Sequence, residues 1–168
     1  MQFSKNSNGF SMIEVIVVLA IIGLLAMVAR PSVKPFLEGI RLRTAANTIK
    51  QQLILAKTRA LGDPNVHAGV SFKTTFPYSI VAFLDDDPSA INDYTYTAND
   101  HVLAPSYSLP KTDTLTLVSG ANPIVFRGDG SAKARAIFFI YYNYKGVKRG
   151  DTISVLASTG RIRITRNF

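Results

Sequence analysis

The sequence GFSMIEVIVVLAIIGLLAMVA occupies residues 9–29 and constrains how the rest of the chain can be arranged. After Gly9 it is a run of about twenty mostly apolar residues, which as a helix would span the roughly 30 Å hydrocarbon core of a bilayer. Its only charged residue is Glu14. A carboxylate in such a segment is costly in lipid, so we expect it to have a partner or a function.

The segment is not built like an ordinary secretory signal, which has a basic start, an apolar run of about 7–15 residues and a small-residue cleavage site after that run. Here the apolar run is longer, no Ala-x-Ala site follows it, and the small residue, Gly9, precedes it. Two interpretations of Glu14 remain, namely a charged group with a cationic partner and a neutral, protonated acid in the membrane.

Residues 1–9 form a short polar leader that contains Lys5, and Glu14 is the fifth residue after the Gly9-Phe10 junction. This pattern resembles the class III leader of type IV prepilins. The resemblance implies that a prepilin peptidase cuts between Gly9 and Phe10 and methylates the new N-terminus. It also implies that Glu14 pairs with that amino group on a neighbouring subunit, which would offset much of the cost of burying the carboxylate and set the register between subunits.

The charges that flank the apolar segment give a conflicting indication of orientation. The flank with more Lys and Arg usually stays in the cytoplasm. After the segment come Arg30, Lys34, Arg41 and Arg43, which outweigh Lys5. Charge alone would therefore place the head inside the cell, whereas the prepilin resemblance implies an inner-membrane protein with a periplasmic head. We follow the resemblance.

Composition predicts one modest domain beyond the anchor and argues against catalysis. The chain has 168 residues and no Cys, so an apolar core rather than disulfides must hold the domain together. His67 and His101 lack metal-ligand spacing, and the sequence has no nucleophile-elbow or phosphate-loop motif. We expect no enzyme activity, no cofactor and no metal.

Helical periodicity continues beyond the apolar segment. Apolar and small residues at steps of three and four predict one buried stripe that packs on a sheet. The stripe consists of Leu42, Ala45, Ala46, Ile49, Leu53, Ala56 and Ala60. Pro31 and Pro35 predict a kink or a restart, and Gly62-Asp63-Pro64 predicts the end of the helix. With the prepilin resemblance, we expect a long stalk helix over residues 10–61, with a transmembrane N-terminal half.

After the helix the apolar pattern changes to period two, which is typical of strands. The predicted strands span residues 66–72, 78–84, 115–118, 123–126, 136–144, 153–157 and 161–165, with turns at residues 128–130, 145–146 and 159–160. Residues 93–113 are predicted to be a surface excursion. A helix followed by antiparallel strands gives an α+β fold with a β-rich head over residues 62–168.

A narrower resemblance follows from motifs in the head. The runs YSIVAFLDDDPSAIND, IVFRGDGSAKARAIFFI and STGRIRI, together with the leader, resemble the FimT/GspH family of minor pilins and pseudopilins. Where that family often has D-x-N-G-x-G-x-x-D, this chain has Pro88 and Ser89 in place of glycines. The resemblance implies a non-enzymatic subunit that joins other pilin subunits in the tip or initiation complex of a type IV pilus or a type II secretion pseudopilus.

The acidic run at residues 85–93 could offer hard oxygen ligands to calcium through Asp85, Asp87 and Asp93. A calcium loop of the EF-hand type needs a Gly at its sharp turn and a closing Glu, and this run has neither. We therefore expect a solvated turn rather than a metal site.

Positive charge is concentrated at the C-terminal end, since residues 127–168 contain nine basic and two acidic residues while residues 62–126 contain two basic and seven acidic. Alternation places Arg161 and Arg163 on one face of a strand whose other face is core. Such a patch can bind a phosphate backbone, and some FimT-like minor pilins bind DNA through a basic C-terminal region during natural transformation. The candidate DNA-binding residues are Lys145, Lys148, Arg149, Arg161, Arg163 and Arg166. The alternative is a solvated face, or one that pairs with an acidic neighbour in the filament tip.

Overall fold

The computed structural model describes residues 10–63, 65–89 and 93–167, with side chains for all of these except residues 28–32 and 167. The predicted leader, residues 1–9, and the predicted helix-terminating Pro64 lie outside this description. In the described part of the chain one helix, α1 (Met12–Leu61), is followed by nine strands. These are β1 (His67–Lys73), β2 (Ser79–Asp85), β3 (His101–Val102), β4 (Tyr107–Ser108), β5 (Asp113–Gly120), β6 (Ile124–Phe126), β7 (Ala136–Tyr144), β8 (Val147–Val155) and β9 (Ile162–Asn167).

The chain divides into two compact units, the first ending at Leu37 and the second spanning Glu38–Phe168. The expected long helix is present, and it continues through Pro31 and Pro35 without a restart. Its second half belongs to the same compact unit as the strands. Within the described residues, no helix reaches the length and apolarity required to cross a membrane.

The strands form two antiparallel sheets, which with α1 give the predicted α+β fold. Sheet A has the order β3-β2-β1-β6, with β4 also paired to β2. Sheet B has the order β5-β7-β8-β9, so β5 and β9 are its edge strands. The sheets meet in the core, where the rings of Phe72 in β1 and Phe138 in β7 stack with their centroids 4.0 Å apart.

The helical stripe predicted from Leu42 onward forms the centre of this core. Each of its members is at most 5 % exposed. The stripe packs in one apolar cluster with residues of both sheets, among them Ile80 of β2 and Ile153 of β8. Several stripe residues are alanines, and the same cluster contains large, fully buried strand residues such as Phe126 and Phe138.

Strand β8 begins earlier than the sequence predicted, at Val147 rather than at Ile153. Residues 147–152 have no apolar alternation, but they pair with β7 in a continuous register from Tyr144↔Val147 to Ala136↔Val155. The connecting turn is Lys145-Gly146, where both residues have positive φ. Two-residue turns of this kind match the twist of a hairpin, so the turn extends the strand further than its side-chain pattern indicates.

The predicted surface excursion at residues 93–113 also contains regular structure. Two short strands within it, β3 and β4, both pair with β2. Each is only two residues long, which is too short for an alternating pattern to be recognised. Leu109, just after β4, is buried in the core.

Candidate functional site

The first unit presents an apolar helix that nothing in the described part of the chain covers. Every side chain from residue 10 to residue 27 is exposed, and the large apolar ones are 48–82 % exposed. They lie on all sides of the helix rather than on one stripe. A helix that is apolar all round requires an apolar environment on every side, which a bilayer or the helices of partner subunits can provide.

Glu14 lies in the first turn of α1 and is exposed. Its backbone N–H donates to the Ser11 carbonyl at 3.0 Å. A carboxylate at this end of a helix interacts favourably with the helix dipole. Phe10 lies just before the helix, so the structure places the predicted modification and assembly residues at the same end of the apolar segment. Gly9, the predicted cleavage residue, lies outside the described residues.

The six basic residues predicted to bind DNA do not share one face of sheet B. On β9, Arg163 pairs with Ser154 whereas Arg166 pairs with Asp151. Paired residues on neighbouring strands point to the same side of a sheet, and Asp151 pairs in turn with the core residue Ile140. Arg166 is therefore on the side that faces α1, and Arg163 is on the outer side.

The other candidates divide in the same way. By the β7–β8 register, Arg149 pairs with the buried Tyr142 on the side of α1, whereas Lys148 is on the outer side. Lys145 lies in the turn between these strands. Arg161 immediately precedes β9 and is exposed. The outer side and its rim thus carry Lys148, Arg161 and Arg163.

Aromatic rings lie beside several of these cations. On the outer side the rings of Phe139 and Tyr141 stack with centroids 5.0 Å apart, and the Lys148 Nζ is 4.9 Å from the Tyr141 ring. The Arg149 guanidinium is 5.5 Å from the Tyr144 ring. Attraction between a cation and the face of a ring keeps these long side chains close to the sheet.

A second basic feature lies within residues 38–168 and joins helix and sheet. A groove of about 490 Å³, which we call the α1–β9 groove, is lined by Arg43, Asn47, Lys50, Asp151, Arg163, Ile164, Thr165 and Arg166. Sequence reasoning missed it because the helix residues are far from β9 along the chain. The available signal was the polar spacing of residues 43, 47 and 50, whose steps of four and three place them on one helix face.

Asp151 is the one acidic residue among those that line the α1–β9 groove, and it is 4 % exposed. Burial raises the pKa of this carboxyl, while Arg166 and Arg43 nearby act in the opposite direction. Lys50 and Arg163 add two further positive charges. The balance of charge in the groove is positive, so it attracts anions.

The acidic loop is only partly the solvated turn that the sequence predicted, because Asp86 and Asp93 are exposed whereas other carboxylates are buried. Asp85, Asp87 and Asp100 are each at most 5 % exposed. Asp100 accepts hydrogen bonds from the backbone N–H groups of Asp87 and Thr97 at 3.2 and 2.7 Å. Asp87 accepts hydrogen bonds from the N–H and the hydroxyl of Ser89 at 2.9 and 2.6 Å. These carboxylates satisfy the backbone donors of the loop and hold its shape.

The remaining predicted ligand of this loop, Asp93, is exposed. It accepts hydrogen bonds from the N–H and the hydroxyl of Thr95 at 2.7 and 2.6 Å. Residues 90–92 of the loop lie outside the described residues. Across the part of the chain that is described, no three His, Cys, Asp or Glu side chains are grouped so as to hold a metal ion.

The surroundings of Asp85 and Asp87 shift the pKa values of these two carboxyls in opposite directions. Hydrogen bonds from Ser89 lower the pKa of Asp87 to about 2. Burial raises the pKa of Asp85. The Asp85 Oδ2 accepts a hydrogen bond from the Tyr94 N–H at 3.0 Å, whereas its Oδ1 has no hydrogen-bond partner among the described residues.

Comparison with known proteins agrees with this architecture. Residues 4–29 match the family model of the prokaryotic N-terminal methylation motif. The chain is also similar to the structure of the minor pseudopilin EpsH from the type 2 secretion system of Vibrio cholerae, with a TM-score of 0.57 and 12 % identity over 75 % of this chain and 97 % of that chain. The chain has a prepilin-type N-terminus and a pseudopilin-like fold. A search of curated protein sequences gives no significant match.

The hydrogen bonds of Asp87 predict a loss of stability in acid. Because its pKa in the folded state lies below the ordinary value of about 3.9, its contribution is present above about pH 4 and is lost as the pH falls towards about 2. We expect Asp87→Asn to lower the unfolding midpoint at pH 7 and to weaken its decline in acid. Circular dichroism of the full chain in detergent, from pH 7 to pH 2, measures both.

Asp85→Asn is the matched control, because the raised pKa of Asp85 reverses the sign. Its charged form is disfavoured in the folded state, so stability is lost as the pH rises above the ordinary value. We expect this variant to raise the midpoint at pH 7 more than at pH 4. Equal pH profiles for the two variants would contradict the different roles of the two carboxylates.

Proposed function

We propose that the chain is a non-enzymatic minor pilin or pseudopilin subunit. In this proposal a prepilin peptidase removes residues 1–9, and the new N-terminus at Phe10 is methylated. Residues 10–61 then form the stalk, whose N-terminal half anchors the protein in the inner membrane, and residues 62–168 form a periplasmic head. The subunit joins the tip or initiation complex of a filament by packing its apolar helix against those of other subunits.

One observation carries the proposal, namely that the apolar helix exposed on every side lies within the stretch that matches the methylation motif, residues 4–29. Leaving a large apolar side chain in water forgoes about 1.5–3 kcal/mol of burial energy. Summed over all the apolar side chains of this segment, the free energy lost in water is large. The segment is therefore expected to lie first in lipid and then among the equivalent helices of other subunits. The host filament is a type IV pilus or a type II secretion pseudopilus, and the similarity to EpsH favours the second.

Glu14 has the role of alignment in this proposal. It is the one charged residue in the apolar segment. Among packed helices its carboxylate would be desolvated, and the methylated amino group of a neighbouring subunit would offset that cost at one register only. Other registers would leave the carboxylate buried and unpaired, and they are disfavoured for that reason.

We expect Glu14→Ala to be processed normally but to enter the filament poorly. Breaking a buried ion pair costs roughly 3–5 kcal/mol. Since 1.4 kcal/mol corresponds to a factor of ten, the amount in the filament fraction should fall at least about tenfold. Immunoblots of the membrane and sheared-filament fractions measure both the size of the protein and its location.

Glu38→Ala is the matched control, because it removes the other Glu of the chain from the same helix. Glu38 lies beyond the apolar segment and makes an ion pair with Arg41 at 3.4 Å. The Glu38 side chain is 12 % exposed and also accepts a hydrogen bond from the Thr112 hydroxyl at 3.5 Å, so its contacts lie within residues 38–168. The control should therefore enter the filament like the unmodified protein. Normal incorporation of Glu14→Ala would contradict the alignment role.

A second candidate function is DNA binding during DNA uptake, and the outer side of sheet B favours it. Lys148, Arg161 and Arg163 lie on that side or at its rim, next to the stacked rings of Phe139 and Tyr141. Cations that contact phosphates supply most of the non-specific affinity for DNA. Aromatic rings beside them add stacking for unpaired bases.

For this function we expect the double variant Arg161→Gln/Arg163→Gln to bind duplex DNA more weakly. The slope of log affinity against log salt should fall by about one for each phosphate that the variant no longer neutralises. Mobility shift of the full chain in non-ionic detergent across a salt series measures both. Lys73→Gln/Lys111→Gln is the control, since it removes the same charge from two exposed lysines outside β8 and β9.

No binding at low salt would contradict DNA binding by this protein. An equal effect of the two double variants would contradict binding through the outer side of sheet B, because charge alone would then explain the affinity.

A further inference from the structure

Strand β9 is an edge of sheet B. Among the described strands it pairs with β8 on one side and with none on the other. An unpaired edge presents backbone N–H and C=O groups to which a further strand can be added. β9 is six residues long, Ile162–Asn167, which is enough backbone for several such hydrogen bonds.

The α1–β9 groove lies along this edge. One wall is β9 itself, and the other is the helix face that carries Arg43, Asn47 and Lys50. All three helix residues are exposed. The two walls can therefore make different contacts, because β9 presents backbone hydrogen-bonding groups and the helix presents polar side chains.

Charge defines what the groove accepts. Four of its lining residues are cations, and the single acid among them, Asp151, is buried. Lys50 lies on the helix wall, whereas Arg163 lines the groove from β9 and projects to the outer side of sheet B, so a strand added beside β9 would have a cation near each of its two faces. An occupant with carboxylates would be complementary in charge to both walls at once.

We propose that the α1–β9 groove is a docking site for an acidic, extended segment of a neighbouring filament subunit, which adds to sheet B as a strand beside β9. This inference rests on the proposed function, because it names a contact between heads of subunits that the stalk helices bring together. Backbone hydrogen bonds to β9 hold the segment, and ion pairs to Lys50 and Arg163 select an acidic one.

The shape of the groove favours a peptide over DNA. A groove of about 490 Å³ has room for a few residues of an extended peptide. A DNA duplex is too wide to enter it, since the major groove of the duplex alone is about 12 Å wide. A duplex would instead contact the open outer side of sheet B.

The cations of β9 also have a purely protective explanation, because charges on an edge strand prevent unwanted pairing. The experiment separates these possibilities.

The test is site-specific photo-crosslinking in cells that assemble the filament. The variants Asn47→p-benzoylphenylalanine and Thr165→p-benzoylphenylalanine place the crosslinker on the two walls of the groove. Thr116→p-benzoylphenylalanine is the control, an exposed position on β5 at the opposite edge of the same sheet. Mass spectrometry of the adducts in the filament fraction identifies the crosslinked peptide.

We expect both groove positions to crosslink to the same segment of another filament subunit, one in which acidic residues outnumber basic ones. The control position should not crosslink to it. Adding Lys50→Glu/Arg163→Glu should lower the yield about tenfold, as repulsion at two ion-pair positions implies. Lys73→Glu/Lys111→Glu, with the same change in net charge away from the groove, should leave the yield unchanged.

Adducts to DNA or lipid, adducts to a segment that is not acidic, or a yield insensitive to the charge reversal would overturn the inference. So would a complete absence of adducts, which would mean that the charges only protect the edge. If the protein is processed and present in the filament fraction when this happens, the proposed function stands. If the unmodified protein is absent from the filament fraction, the proposed function fails and this inference fails with it.

Discussion

The structure depends on a single helix whose two halves need different environments. Over residues 42–60 most of its apolar residues form one stripe, and two sheets bury that stripe almost completely. Over residues 10–27 it is apolar on every side and exposed. The folded chain satisfies the first requirement alone, whereas only lipid or other subunits can satisfy the second. This requirement is the basis of the proposed role in assembly, in which the head would provide specific contacts.

Within the head, the two sheets differ in what covers them. The segment between β2 and β3 packs on the outer side of sheet A, where the Tyr96 ring lies 5.1 Å from that of Phe83. A side chain on Gly69 would come within 3.0 Å of the Phe83 ring, so the glycine leaves that ring its space. Asp87 and Asp100 hold this segment through hydrogen bonds. The acidic loop is thus a structural element, while the edge of sheet B at β9 has no such cover among the described residues.

Much of the fold could be predicted because helical and strand periodicities are local properties of the sequence. The early start of β8 at Val147 could not, because its first residues join the sheet through pairing with β7 rather than through an apolar pattern. The loop could have been recognised from Asp87-x-Ser89 and Asp93-x-Thr95, since an Asp side chain often accepts a hydrogen bond from the backbone two residues on. The spacing of residues 43, 47 and 50 marked one wall of the α1–β9 groove, but the groove itself could not be predicted, because only folding brings residues such as Lys50 next to β9. The N-terminal motif could be recognised from the sequence alone, because all of its residues are contiguous.

The N-terminal peptide of the mature protein, isolated from cells that contain a prepilin peptidase, tests the central claim most directly. Removal of residues 1–9 would begin the chain at the residue that leads into the exposed apolar helix. Mass spectrometry should find that the peptide starts at Phe10 and carries one methyl group on its amino nitrogen. A mature chain that retains residues 1–9, or that begins at any other residue, would contradict the assignment of this helix as a filament-forming stalk.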